Sequence, residues 1–203
     1  GGCWGLARVL RLERPTWRIM IADVRNGRGQ LAASLVAELN TTEREIAWET
    51  ATRQFASRLR RSCAIEAGMA SKADSTWLIT GGLGGLGLHG AAALLQWGAN
   101  RLILASRRGS IAWDGQGLLL QLEGLLASEA TVSVVAWDAG DTCESMHLAS
   151  ALGDDRFGVL HAAGLGDAGL LETVSQDRLR RLFSAKALAA AQLHHTTARS
   201  ALV

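Results

Sequence analysis

"STWLITGGLGGLGLHGAAALLQWG", residues 75 to 98, passes from an apolar run through five glycines in seven positions into an alanine-rich amphipathic run. A short apolar run ending at glycine reads as a strand, and the 3.6-residue spacing after it reads as a helix. Gly82, Gly84 and Gly87 satisfy G-x-G-x-x-G with a strand before and a helix after, the context that the motif requires. The first glycine is expected to allow the tight turn, the second to admit a pyrophosphate against the backbone, and the third to let helix and strand pack closely. The anion would lie at the helix N-terminus, where unpaired N–H groups and the helix dipole favour negative charge. Thr80 leads into this turn, and Gly85 and Leu86 complete the backbone around it. A glycine-rich loop without a ligand is the alternative; strand and helix in the required places weigh against it.

Working outward, the same rhythm repeats. "RLILAS" is followed by a helix at about 117–128, "TVSVVAW" by one at about 142–152, and "FGVLHAAG" by a long one at about 176–195. Four strand–helix pairs with nearly uninterrupted apolar strands predict a parallel sheet covered on both faces, the α/β, Rossmann-type doubly wound class. The chain stops after the fourth helix, where such a sheet ordinarily continues. Upstream, "RIMIADV" (18–24), "REIAWET" (44–50) and "ATRQFASRLRR" (51–61) read as strands, with "GQLAASLVAELN" (29–40) as a helix between the first two. A smaller α/β unit over 1–70 is therefore expected before a nucleotide-binding unit over 75–203, with a linker at 63–75.

The second strand indicates which dinucleotide is bound. An NAD site places Asp or Glu after it for the ribose 2′-hydroxyl, whereas this chain has Ser106, Arg107 and Arg108. Guanidinium groups suit a 2′-phosphate, so the expected cofactor is NADPH; two solvated surface arginines are the alternative. After the third strand, Asp138, beside Ala139, is placed to accept from the adenine amino group, and Asp141 to cap the next helix. His161, Ala162, Ala163 and Gly164 end the fourth strand at the carboxyl edge, either leaving room for a nicotinamide or forming a plain strand exit.

Bulk properties restrict the rest. The 203 residues are 48% hydrophobic and carry 21 basic and 19 acidic side chains, too balanced to suggest a nucleic-acid footprint. No stretch of eighteen apolar residues predicts a membrane span. Cys3, Cys63 and Cys143 are odd in number and far apart, which fits reduced thiols in the cytoplasm and no metal site. His194 and His195 close a helix and have no third partner for a metal, and the seven tryptophans are expected to pack in the core. The start "GGCWGLARVL" has neither an initiator Met nor a signal-peptide layout, so the chain is expected to be a piece of something longer.

Taken together, "TGGLGGLG", "SRRG", "WDAGD", "HAAG" and "FSAKALAAAQLHH" resemble the ketoreductase domain of modular type I polyketide synthases, a short-chain dehydrogenase/reductase. "WGLARVLRLERPTWRIMIADV" and "EIAWETATRQFASRLRR" resemble the noncatalytic structural subdomain of these reductases. The resemblance implies reduction of a β-ketoacyl thioester on an acyl carrier protein, with other synthase domains as partners. It also implies a catalytic role for Lys186, which on sequence alone is equally an exposed helix lysine. The family's serine and tyrosine come from a segment expected beyond "HHTTARSALV", and the chain contains no tyrosine. These residues alone are therefore expected to bind NADPH weakly or not at all and to reduce little. A noncatalytic structural module is the second reading. Many family members of one product handedness carry Leu-Asp-Asp after "HAAG"; here Gly166, Asp167 and Ala168 stand there, and no handedness follows.

Overall fold

The computed structural model describes residues 2–24, 43–50, 53–59, 75–112, 116–152 and 157–197. The expected helix at 29–40, the linker at 63–75 except Ser75, and Trp113 lie outside them. The chain divides into two compact units, Gly1–Glu66 with Gly169–Val174, and Ala67–Ala168 with Ser175–Val203.

The first unit opens with α1 (Gly2–Glu13), which the sequence reading did not anticipate. Strands β1 (Ile21–Val24) and β2 (Glu45–Thr50) pair in parallel, and β2 pairs antiparallel with β3 (Arg53–Ala56). All three are shorter than the runs that predicted them. Arg8 and Arg11, three apart on α1 and hence on one face, both reach the Glu45 carboxylate, with Arg8 forming a two-point bridge at 2.8 and 2.7 Å. Glu13 accepts the Leu171 N–H through both carboxylate oxygens at 2.9 and 3.0 Å, so the 169–174 segment is tied to the end of α1. Arg58 pairs with Glu43, which gives part of the "RLRR" run a structural partner.

The second unit is a four-stranded sheet with order β6-β5-β4-β7, all parallel. Its strands are β4 (Thr76–Thr80), β5 (Arg101–Ser106), β6 (Thr131–Ala136) and β7 (Phe157–His161). Helices α2 (Gly85–Gln96), α3 (Leu118–Leu126) and α4 (Thr142–Leu152) connect them. The last helical stretch comprises α5 (Gln176–Phe183), a π-helical turn (Ser184–Leu188) and α6 (Ala189–Thr197).

Strand alternation sends Ile79, Leu102 and Leu104 to one face, where they pack on Leu88, Ala91 and Leu94 of α2 and Leu118 and Leu125 of α3. Leu78, Ile103 and Ala105 go to the other face, against Phe157, Trp137 and the α6 residues Ala189 and Leu193. Helices on both faces of a parallel sheet are the expected Rossmann-type doubly wound arrangement. Each fully buried Leu or Ile contributes about 1.5–3 kcal/mol, against about 0–1 for an exposed ion pair, so these two layers hold the unit. Core packing of the tryptophans holds for Trp137, which is buried, but Trp17 and Trp97 are 59% and 58% exposed. Trp17 lies in the turn after α1, and Trp97 at the C-terminal end of α2.

Candidate functional site

Among the described residues the positive-φ residue of the glycine turn is Gly81 (φ +64°), not Gly82, so the tight bend lies one residue earlier than the motif spacing predicts. A Cβ on Gly81 would stand 2.8 Å from Ala162 O and Ala163 N, placing the bend against the start of the loop after β7. The third motif glycine packs as expected: a Cβ on Gly87 would fall 2.3 Å from Gly81 O, and α2 could not lie so close beneath the turn. Gly84 caps α2 in extended backbone with no side-chain hydrogen bond, and the first turn carries no acidic residue. The helix start thus lacks the side-chain acceptor that ordinarily satisfies its free N–H groups.

Above the turn, at the carboxyl ends of the strands, lies a cleft of ≈ 320 Å³. Of the residues singled out in the sequence, Thr80, Gly84, Ser106, Arg107, Asp138, Ala139, Ala162, Ala163 and Gly164 line it. Gly82 sits lower, its N–H donating to Ala105 O at 3.0 Å. Gly85, Leu86, Gly87, Arg108, His161 and Lys186 are not part of the wall; the Leu86 side chain is 82% exposed. Among the described residues Arg107 is therefore the cationic side chain of this wall and Asp138 its acidic one.

Sequence reasoning missed Gly81, Ser110, Trp137, Gly140 and Leu165, which also line the cleft. Trp137 directly precedes Asp138, and its N–H donates to Ser106 O at 2.8 Å, so the ends of β5 and β6 are joined there. That adjacency was the available signal. Ser106 Oγ and Trp137 Nε1 are both buried with no hydrogen-bond partner among the described residues. Both atoms are closed off from solvent, so they lie in the packed joint between β5 and β6 behind the cleft surface.

The loops that carry these residues are held by short polar contacts. Asp138 Oδ1 accepts from Gly140 N–H at 2.9 Å, while Asp138 N–H donates to Glu144 at 2.7 Å. Asp141 Oδ1 accepts from Cys143 and Glu144 N–H at 2.8 and 3.0 Å, the expected cap of α4. Asp167 pairs with Arg178 through Nε at 2.8 Å and a second guanidinium contact. The Arg178 hydrogen bond holds the Asp167 carboxyl below its ordinary pKa. That pair fixes the segment where the Leu-Asp-Asp pattern is absent. Beneath the cleft, Thr80 Oγ1 lies 2.6 Å from His161 Nδ1 and accepts from Ala163 N–H at 3.2 Å, and His161 Nε2 lies 3.1 Å from Lys186 O.

A parallel sheet in this order, with a glycine turn after its central strand β4 and a cleft over the carboxyl ends, defines a Rossmann-type dinucleotide-binding class. A family model described as the KR domain matches residues 75–202, more than half of the 203. The chain belongs to that family, the ketoreductase domains of modular polyketide synthases. It is 35% identical over 208 residues to polyketide synthase GfsB of Streptomyces halstedii, covering 95% of this chain and 4% of that protein. Against 5-methyl-1-naphthoate synthase of Streptomyces sahachiroi it is 32% identical over 206 residues, covering 94% of this chain and 12% of the relative. The first ketoreductase of the tylosin polyketide synthase superposes with TM-score 0.75 at 30% identity, covering 97% of this chain and 42% of that one.

Proposed function

We propose that the cleft binds NADPH and that these residues belong to a unit reducing a β-ketoacyl thioester on an acyl carrier protein to the β-hydroxyacyl form. The observation that carries this reading is that Arg107 and Gly84, the uncapped start of α2, line the same cleft, which gives that cleft two positive regions for phosphate groups. Asp138 on the same wall offers an acceptor to a polar adenosine end, and the small side chains of Ala162 and Ala163 fit a flat ring. Gly82, Gly85, Leu86 and Gly87 act from beneath, by shaping the turn. Residues 1–70 form the structural subdomain in this reading, and 75–203 the NADPH-binding one.

When bound, the reduced nicotinamide supplies a hydride to the ketone carbon, and the resulting alkoxide takes one proton. Lys186, with its stem beside Gly164, holds the ribose and favours the charged form of the proton donor. The donor itself is not among these 203 residues, which include no tyrosine. Lack of a positioned acid lowers the rate by on the order of 100- to 10,000-fold.

The test is a fluorescence titration with NADPH and with NADH, in this chain and in an Arg107→Glu variant. A charge-assisted phosphate contact of about 1.5–3 kcal/mol corresponds to roughly 10- to 100-fold preference for NADPH, which the variant loses. Equal affinities in the parent chain contradict the reading.

A further inference from the structure

We propose that His161 and Gly164 are positioning residues for Lys186, one fixing its backbone and the other the path of its side chain; this rests on the catalytic reading of Lys186 given above. A carbonyl oxygen only accepts, so the 3.1 Å contact to Lys186 O places the proton on His161 Nε2. In the neutral ring Nδ1 is then an acceptor, and Thr80 Oγ1–H donates to it at 2.6 Å. Thr80 Oγ1 in turn accepts from Ala163 N–H at 3.2 Å. Every link has one direction. Thr80 is buried to 1% exposure at the end of β4, so the series is rooted in the sheet and ends on the lysine's own peptide unit.

That peptide unit lies within the π-helical turn Ser184–Leu188, where the helix is locally wider and its side chains are rotated out of α phase. The imidazole adds a donor to that turn from the end of β7. Gly164 acts on the side chain. A Cβ there would stand 3.0 Å from Lys186 Cε, 3.7 Å from Cγ and 3.9 Å from Cδ, so the methylene stem runs across the bare glycine backbone. A long lysine on an exposed helix ordinarily samples many rotamers, and the missing Cβ at position 164 leaves room for the one whose stem lies against this loop. "HAAG" thus does more than make room for a ring. Its first and last residues hold Lys186.

The chain contains two lysines, Lys72 and Lys186, which makes the claim directly measurable. In a Lys72→Arg background, reductive ¹³C-methylation leaves Lys186 as the sole lysine NMR signal, distinct from the N-terminal amine. The expected result is a Lys186 signal shifted and broadened relative to the same signal in urea. His161→Leu should bring it at least halfway to the urea position with at least two-fold narrowing, while His161→Gln, whose amide keeps a donor and an acceptor, should retain the parent signal. Gly164→Ala should displace the signal as well, and serves if His161→Leu fails to fold. A Lys186 signal unchanged in folded His161→Leu, or unchanged in Gly164→Ala, overturns the proposal. Adding NADPH separates the two readings: a signal that responds to the variants and not to NADPH leaves the positioning intact and removes the nicotinamide site.

Discussion

In the four-stranded sheet, Leu78, Ile79, Leu102 and Leu104 are buried to 1% exposure or less, covered by helices on both faces. In the three-stranded sheet, Ile46 is the one large side chain buried to that degree among the described residues, and Glu45 beside it is bound by Arg8 and Arg11. The first sheet is held by area removed from water and by backbone packed so closely that only glycine fits. The second relies more on charge. A cleft that must keep its shape while binding anions is better built on the first kind of support, because apolar packing is insensitive to salt and pH.

The contrast is broken most strongly at Leu104, where truncation to Ala should destabilise the large unit by about 2–5 kcal/mol, measured by urea unfolding. Gly87→Ala should follow at about 1–3 kcal/mol, because the added methyl meets the Gly81 carbonyl and backbone cannot yield as a side chain would. Gly124→Ala in α3 sharpens the same point with the opposite sign. Nothing lies within 4 Å of a Cβ there, so the helix should gain about 0.5–1 kcal/mol.

The smallest effect belongs to Glu45. The Arg8 hydrogen bond, opposed by desolvation and aided by Arg11, lowers its carboxyl pKa to about 2 from an ordinary 4.5. A depressed pKa means that the contribution is fully present above about 4.5 and is lost as pH falls toward 2. The protection factor at Ile46, its exchange rate corrected for the intrinsic pH dependence of amide exchange, should therefore fall over that interval in the parent chain and show no such step in Glu45→Gln, while the Leu104 protection factor stays flat in both.

The strands and turn of the large unit were legible because each is local: apolar runs, glycine spacing and helix period lie within a dozen residues of one another. The sign of φ was not, since Gly81 and Gly82 are chemically identical and only the neighbouring loop at Ala162 decides which one bends. Helix α1 escaped because "GCWGLARVLRLE" opens with glycines and lacks a capping signal, and its charged face makes sense only with Glu45 across from it. Arg107 and Arg108 look equivalent in sequence, yet Arg107 alone of the two lines the cleft. The contact of His161 with Lys186 joins residues 25 apart through tertiary structure, and no spacing rule encodes it.

The central claim concerns the phosphate-binding wall, and the most direct measurement is calorimetric titration with adenosine 2′,5′-bisphosphate and adenosine 5′-monophosphate, which need no nicotinamide contacts. Tighter binding of the bisphosphate by roughly 10- to 100-fold is expected, abolished in Arg107→Glu and largely kept in Arg108→Glu. Equal binding of the two nucleotides, or a bisphosphate preference that survives Arg107→Glu, would contradict the account.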